Sequence, residues 1–179
     1  MTPAHGIYVI TGIMASGKST VAELLAKRFP RGVHVRGDLF RRMVVSGRRE
    51  MTADYGEEAY EQLLLRCRIA AKTAQMYFEA GFSVAVQDNY LGEVLNRFLE
   101  EFTVSPLYLV TLNPSAAAVA AREAARGKKG YTGGWTPQAM HEALNRENPC
   151  IGLWLDSGSQ TPEETADEII RRAAEARIR

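Results

Sequence analysis

The chain has 179 residues, 46% of them hydrophobic and 24% charged, with a formal net charge of +1. That balance excludes disordered, collagen-like and fibrous chains, and at this length folding buries roughly 70% of the unfolded surface without staples. A near-neutral chain also argues against a broad nucleic-acid or membrane-surface footprint, so any basic site must be local. Cys67 and Cys150 cannot build a disulfide framework, and His5, His34 and His141 lack zinc-ligand spacing. No run approaches the roughly 18 apolar residues of a membrane span, and residues 1–11 lack a basic region and a cleavage site. The expectation is one cytoplasmic domain over residues 1–179, with no nucleic-acid or membrane partner.

Short apolar runs alternate with helical patterns from end to end. Residues 6–11 read as a buried strand and 19–29 as a helix with Val21, Leu24, Leu25 and Phe29 on one face. Residues 32–36 read as a second strand, followed by a helix over about 38–45 and a polar loop over 47–55. Tyr60, Leu63, Leu64, Cys67, Ala71, Ala74 and Phe78 recur at three-four spacing and predict a long helix over 56–80, ended by Gly81. A third strand follows at 82–87, a short helix near 92–101, and a fourth strand at 105–112. Asn113 and Pro114 are expected to cap and open an Ala-rich helix to about Arg126. Residues 127–136 form a glycine- and lysine-rich segment, within a flap over about 122–136, and Pro137 starts the next helix. A fifth strand at 151–155 precedes a closing helix over 162–177, with Thr161 as N-cap and Glu164 in the capping-box position. Five apolar strands alternating with helices imply an α/β fold, a parallel sheet covered on both faces.

The strongest motif is Gly12-Ile13-Met14-Ala15-Ser16-Gly17-Lys18-Ser19, a full G-x-x-x-x-G-K-[ST] match between an apolar strand and an amphipathic helix. Its glycines let the backbone bend so that successive N–H groups point at phosphates, and Lys18 reaches the β- and γ-phosphates. Ser19 is the expected Mg²⁺ ligand, and Thr20 follows it at the positive end of the helix. Gly12, Ala15, Ser16, Gly17, Lys18, Ser19 and Thr20 therefore form the expected ATP site.

The later strand ends supply the remaining candidates. In a parallel sheet, residues just past a strand's C-terminal end line the ligand crevice. Asp38 falls there, placed either to accept a proton from an attacking hydroxyl or to cap the following helix. Arg41, one turn on, is a candidate for holding the acceptor. Asp88 ends the third strand in the manner of a Walker B segment, to hold Mg²⁺ or contact the acceptor, and Tyr90 lines the same rim. Arg122 and Arg126 are four apart, expected on one helix face toward the flap, with Lys128 and Lys129 beyond. Arg126 is the candidate for stabilising charge during transfer and Arg122 for contacting the base or the phosphates.

In this order these residues, closed by Leu155-Asp156-Ser157-Gly158, resemble the small P-loop kinases of the shikimate and gluconate kinase type, AAA-type P-loop phosphotransferases. Gln87-Asp88-Asn89-Tyr90-Leu91-Gly92 is similar to the chloramphenicol phosphotransferase-like proteins, and Thr136-Pro137-Gln138-Ala139-Met140-His141 resembles the post-flap helix of zeta toxins. The resemblance implies a three-layer P-loop NTPase domain with strand order 2-3-1-4-5. It also implies transfer of the γ-phosphoryl group of Mg-ATP to a hydroxyl of a sugar acid, an antibiotic or a similar metabolite. Asp38 then matches the family base, and Arg122 and Arg126 its flap arginines. The sequence departs from the antibiotic-kinase pattern at Gln87, where that pattern carries a second Asp. Gly37-Asp38-Leu39-Phe40-Arg41 also resembles the nucleotide-gripping turn of nucleoside monophosphate kinases, so a nucleoside or nucleotide acceptor is the alternative. An ATP-binding regulator without phosphotransfer is the second alternative.

Overall fold

A computed structural model describes residues 3–127 and 130–179; Lys128 and Lys129, expected on the flap, lie outside the described residues. The elements in chain order are β1 (Ile7–Gly12), α1 (Lys18–Lys27), β2 (Gly32–Arg36), α2 (Gly37–Arg42), α3 (Glu57–Glu79), β3 (Ser83–Gln87) and α4 (Glu93–Glu100). They continue with β4 (Leu107–Leu112), α5 (Ala116–Ala125), α6 (Pro137–Glu147), β5 (Leu153–Leu155), α7 (Pro162–Arg171) and α8 (Ala173–Ala176).

All five strands are parallel in the order β2-β3-β1-β4-β5, as the resemblance implies. Alternation along β1 builds two cores. Ile7 and Val9 face α3 and α4, packing with Leu63, Cys67, Ala70, Ala74, Leu95 and Phe98. Tyr8 and Ile10 face the other way, against Val21 and Leu25 of α1 and Ile169 of α7. The three inner strands are buried throughout, so their apolar runs are continuous, whereas the edge strands β2 and β5 are partly exposed, β5 with only three residues. The chain leaves β1 toward β2 on one side and reaches β4 on the other. Its C-terminal end is therefore the crevice where a ligand meets strand ends from both halves.

Several local expectations are corrected. Ser115, not Asn113, caps α5, its Oγ accepting from the Ala118 amide at 3.2 Å; the Asn113 side chain instead bonds Asn145 across to α6 at 2.8 Å. The closing helix breaks at Arg172, where φ −103° and ψ 22° leave the α-helical well and separate α7 from α8. α2 stops at Arg42 rather than near Val45. β4 begins at Leu107 because Pro106 has no N–H for the ladder. The capping box of Thr161 and Glu164 forms as its spacing predicts, and Pro137 opens α6 as expected, where the structure adds Thr136 as the N-cap.

Candidate active site

The loop between β1 and α1 is shaped by three backbone positions. Gly12 has φ 147°, and a Cβ there would lie 2.5 Å from the Leu112 carbonyl oxygen of β4. Gly17, the N-cap of α1, has φ 99°, and Ala15 takes a left-handed φ of 63° despite its side chain. After Ser16 turns back to the Ile13 carbonyl at 3.2 Å, the first α1 bond is Val21 to Gly17 at 3.0 Å. Among the described residues the amides of Ala15, Gly17, Lys18, Ser19 and Thr20 have no protein acceptor. These free donors line the positive end of a ten-residue helix. That set of donors fits the phosphates of a nucleotide.

Lys18 is only 7% exposed. Its Nζ donates to the Ile13 carbonyl at 2.7 Å and stands 3.4 Å from Ser16 Oγ, so the ammonium lies within the loop itself. Burial pushes its pKa down to about 7; Asp88 opposes that shift and Arg126 adds to it. Ser16 is buried beside it, while Ser19 and Thr20 face outward. Ser19 Oγ accepts a hydrogen bond from Gln87 Nε2 at 3.2 Å. An exposed Ser19 hydroxyl beside the phosphate-binding amides suits a Mg²⁺ ion carried by a nucleotide.

Asp88 does not present a carboxylate to Ser19. Its Oδ2 faces Arg66 Nε of α3 at 3.1 Å, and Oδ1 accepts from the Asn89 amide at 2.8 Å. The carboxyl packs beneath the turn that follows β2, since a Cβ on Gly37 would lie 2.4 Å from Oδ2. Asp88, expected to hold Mg²⁺ directly or through water or to contact the acceptor, is thus engaged in a nearly dry ion pair. The strand alternates its side chains, and one step from Gln87 to Asp88 turns the group away from the Ser19 side. Sequence reasoning missed Arg66, although a cation set among Leu63, Leu64, Cys67 and Ala70 was a readable signal that an acid faces it.

Asp38 sits inside the first turn of α2 and makes no capping hydrogen bond, which removes the helix-cap alternative. Its Oδ1 accepts from Arg41 Nε at 2.9 Å and its Oδ2 pairs with Arg42 at 2.7 Å. Burial raises the Asp38 pKa, but the hydrogen bonds and charges of Arg41 and Arg42 outweigh it and hold the carboxyl below its usual range. Arg41 also reaches Glu50 Oε1 at 2.6 Å, so it bridges α2 to the polar segment after it.

Arg122 and Arg126 do not share a helix face, because α5 ends at Ala125 and Arg126 has extended backbone. Arg122 donates to the Ser16 carbonyl at 3.2 Å and to the Ser157 carbonyl at 2.5 Å. It therefore ties the phosphate loop to the turn after β5. Arg126 stands 3.4 Å from Glu123 and lies close enough to Lys18 to lower its pKa. Glu123 accepts from the amides of Gly130 and Tyr131. The flap closes on both sides: Tyr131 donates to the Met14 carbonyl at 2.7 Å, and the Ala53 amide donates to the Gly133 carbonyl at 2.8 Å. Trp135 Nε1 adds a bond to the Met51 carbonyl at 3.2 Å. Tyr90, expected at the rim, is 1% exposed and stacks on Phe98 with ring centroids 3.9 Å apart, so its ring belongs to the core.

A family model described as an AAA domain matches residues 7–148. No curated protein matches the chain significantly. Among solved structures, a sugar kinase from Janibacter sp. HTCC2649 is 18% identical with a TM-score of 0.70, covering 97% of this chain and 96% of that one. An APS kinase from Mycobacterium tuberculosis, in complex with AMPPNP and APS, is 18% identical with a TM-score of 0.68, covering 96% of this chain and 99% of that one. A gluconokinase from Sinorhizobium meliloti 1021 is 20% identical with a TM-score of 0.66, covering 94% and 91%. At these identities the likeness is one of fold.

Proposed function

The chain belongs to the AAA domain family, and on that footing we propose that it is an ATP-dependent phosphotransferase acting on a hydroxyl of a small molecule. The observation that carries this reading is the cradle itself: outward amides around a nearly buried Lys18, with the base candidate Asp38 just past the end of β2. Kinases of small molecules with the same fold, one of them in complex with AMPPNP and APS, add support by analogy.

In this reading the loop amides and Lys18 hold the β- and γ-phosphates, and Ser19 is the protein ligand of Mg²⁺. The cation neutralises charge between the phosphates when it is bound. The acceptor oxygen forms the new bond to the γ-phosphorus as the bond to the bridging oxygen breaks, and ADP leaves. Asp38 orients the acceptor hydroxyl and takes its proton. Ionised and held by two arginines, it is a weak base, which suits a transition state in which the proton leaves late. Each of its oxygens keeps a lone pair after the arginine contacts, so an acceptor can be added without breaking them. Arg126, beside Lys18 and half exposed, adds positive charge as the phosphoryl group transfers, and Arg122 fixes the loop's inner edge.

The test is ADP formation from Mg-ATP across sugar acids, polyols, antibiotics, nucleosides and nucleoside monophosphates. Stimulation by one class is expected, with about 10²–10⁴-fold loss in Asp38→Asn at retained nucleotide affinity, and loss of nucleotide use in Lys18→Ala. Tight nucleotide binding with no stimulation in any class would overturn phosphotransfer in favour of a regulator. A nucleoside monophosphate preference abolished by Arg41→Ala would instead assign the nucleotide-kinase alternative.

A further inference from the structure

Gln87 is 5% exposed and sits in register with Ile10 of β1 and Arg36 of β2, one residue before Asp88. Its amide is the side chain that reaches Ser19, at 3.2 Å. The acidic group next to it is turned away and paired with Arg66. Asp38, the other acid near these strand ends, is paired with Arg41 and Arg42. Among the described residues, moreover, no cluster of three or more His, Cys, Asp or Glu side chains could hold a metal. The protein face toward the cation therefore consists of one hydroxyl supported by one neutral amide.

We propose that Gln87 is a positioning residue for the divalent cation, and that the cation enters only as part of a metal–nucleotide complex. The proposal rests on the reading of the cradle as a Mg-nucleotide site. A single serine hydroxyl without a free carboxylate binds a hard, strongly hydrated cation poorly, so the phosphate oxygens must supply the remaining ligands. The Gln87 amide contributes by holding Ser19. In the arrangement seen here Nε2 donates to Oγ; rotating the amide end for end lets Oε1 accept the Ser19 proton, freeing an oxygen lone pair for the metal. Either way the support is uncharged. A carboxylate at this position would attract the cation itself, so exchanging amide for carboxylate should raise metal affinity where a merely structural residue would lower it or leave it alone.

The experiment measures Mn²⁺ binding by electron paramagnetic resonance, and AMPPNP binding by calorimetry with and without Mg²⁺. Wild type, Gln87→Glu and Gln87→Leu are compared. Wild-type protein without nucleotide should bind no Mn²⁺ below millimolar concentration. In the AMPPNP complex, Gln87→Glu should tighten Mn²⁺ by about tenfold and Gln87→Leu should weaken it by about tenfold, the scale of changes to groups that support a metal ligand. AMPPNP affinity in chelator should stay within about twofold for all three proteins, which separates the effect from misfolding. Micromolar Mn²⁺ binding by nucleotide-free protein, or Mn²⁺ affinity in the complex indifferent to residue 87, would overturn the proposal. Absence of AMPPNP binding would overturn the cradle reading and this inference together. Nucleotide binding without phosphotransfer to any acceptor would overturn only the proposed reaction.

Discussion

Lys18 lies almost dry in the loop that it serves, and its pKa of about 7 places its charge at the edge of neutrality. Burial removes water from the ammonium, Arg126 repels it, and Asp88 only partly compensates. A polyphosphate brought within reach of Nζ favours the charged form, so nucleotide binding above pH 7 must draw in a proton. Calorimetry of AMPPNP binding at pH 8, in buffers of different ionisation enthalpy, should report uptake approaching one proton. Lys18→Met should abolish it. Asp38 shows the opposite balance, since two arginines outweigh its burial and keep it ionised. The ionisation of each group is thus set by what packs around it: burial and Arg126 for Lys18, Arg41 and Arg42 for Asp38.

At the scale of elements, the ion pair of Arg66 and Asp88 fastens α3 to the end of β3 under the Gly37 turn. With side chains 14% and 9% exposed, neither partner can fall back on water. Arg66→Met leaves a carboxylate unpaired and should cost about 3 kcal/mol, lowering the thermal midpoint of this 179-residue chain by about 6–10 °C. Adding Asp88→Asn should recover most of that loss, because it removes the stranded charge. A scanning calorimetry cycle over the four proteins reads the coupling; additive losses would mean that the pair does not fasten the elements. Glu123 plays a related part on the flap, where one carboxylate gathers Arg126 and the amides of Gly130 and Tyr131.

Across the whole molecule, buried titratable groups make stability depend on pH with a definite sign. An unfolded lysine near 10.5 keeps a proton that Lys18 of the folded protein releases above about 7, so the unfolded state binds more protons and stability rises with pH. His34, pushed down to about 4 by burial and by Arg36, gives a similar rise between about pH 4 and 6.5. Above about pH 9 a buried thiol works the other way. Burial holds the Cys67 thiol up at about 12, so the unfolded chain loses that proton first, which offsets the Lys18 rise up to about pH 10.5 and lowers stability beyond it. Urea unfolding of the nucleotide-free protein should therefore give greater stability at pH 9 than at pH 7. Lys18→Met should flatten that rise; an unchanged slope would place its origin elsewhere.

What nearby residues settle among themselves can be read along the chain. The phosphate loop, the start of α6, the α7 cap and the apolar runs of the strands all depend on contacts within a few positions. The loop glycines, the Thr161–Glu164 capping box and Pro137 at the start of α6 were legible for that reason. Failures occurred where two local solutions compete, as when Ser115 took the cap expected of Asn113 and the closing helix broke at Arg172. Long-range partners came from the fold. Gln87 meets Ser19 across 68 positions, and Arg122 meets Ser16 across 106. Such pairs follow from the strand order and from the direction in which alternation points each strand-end side chain. That direction separates Gln87 and Asp88, adjacent in sequence: one reaches Ser19 of the loop, and the other pairs with Arg66 of α3.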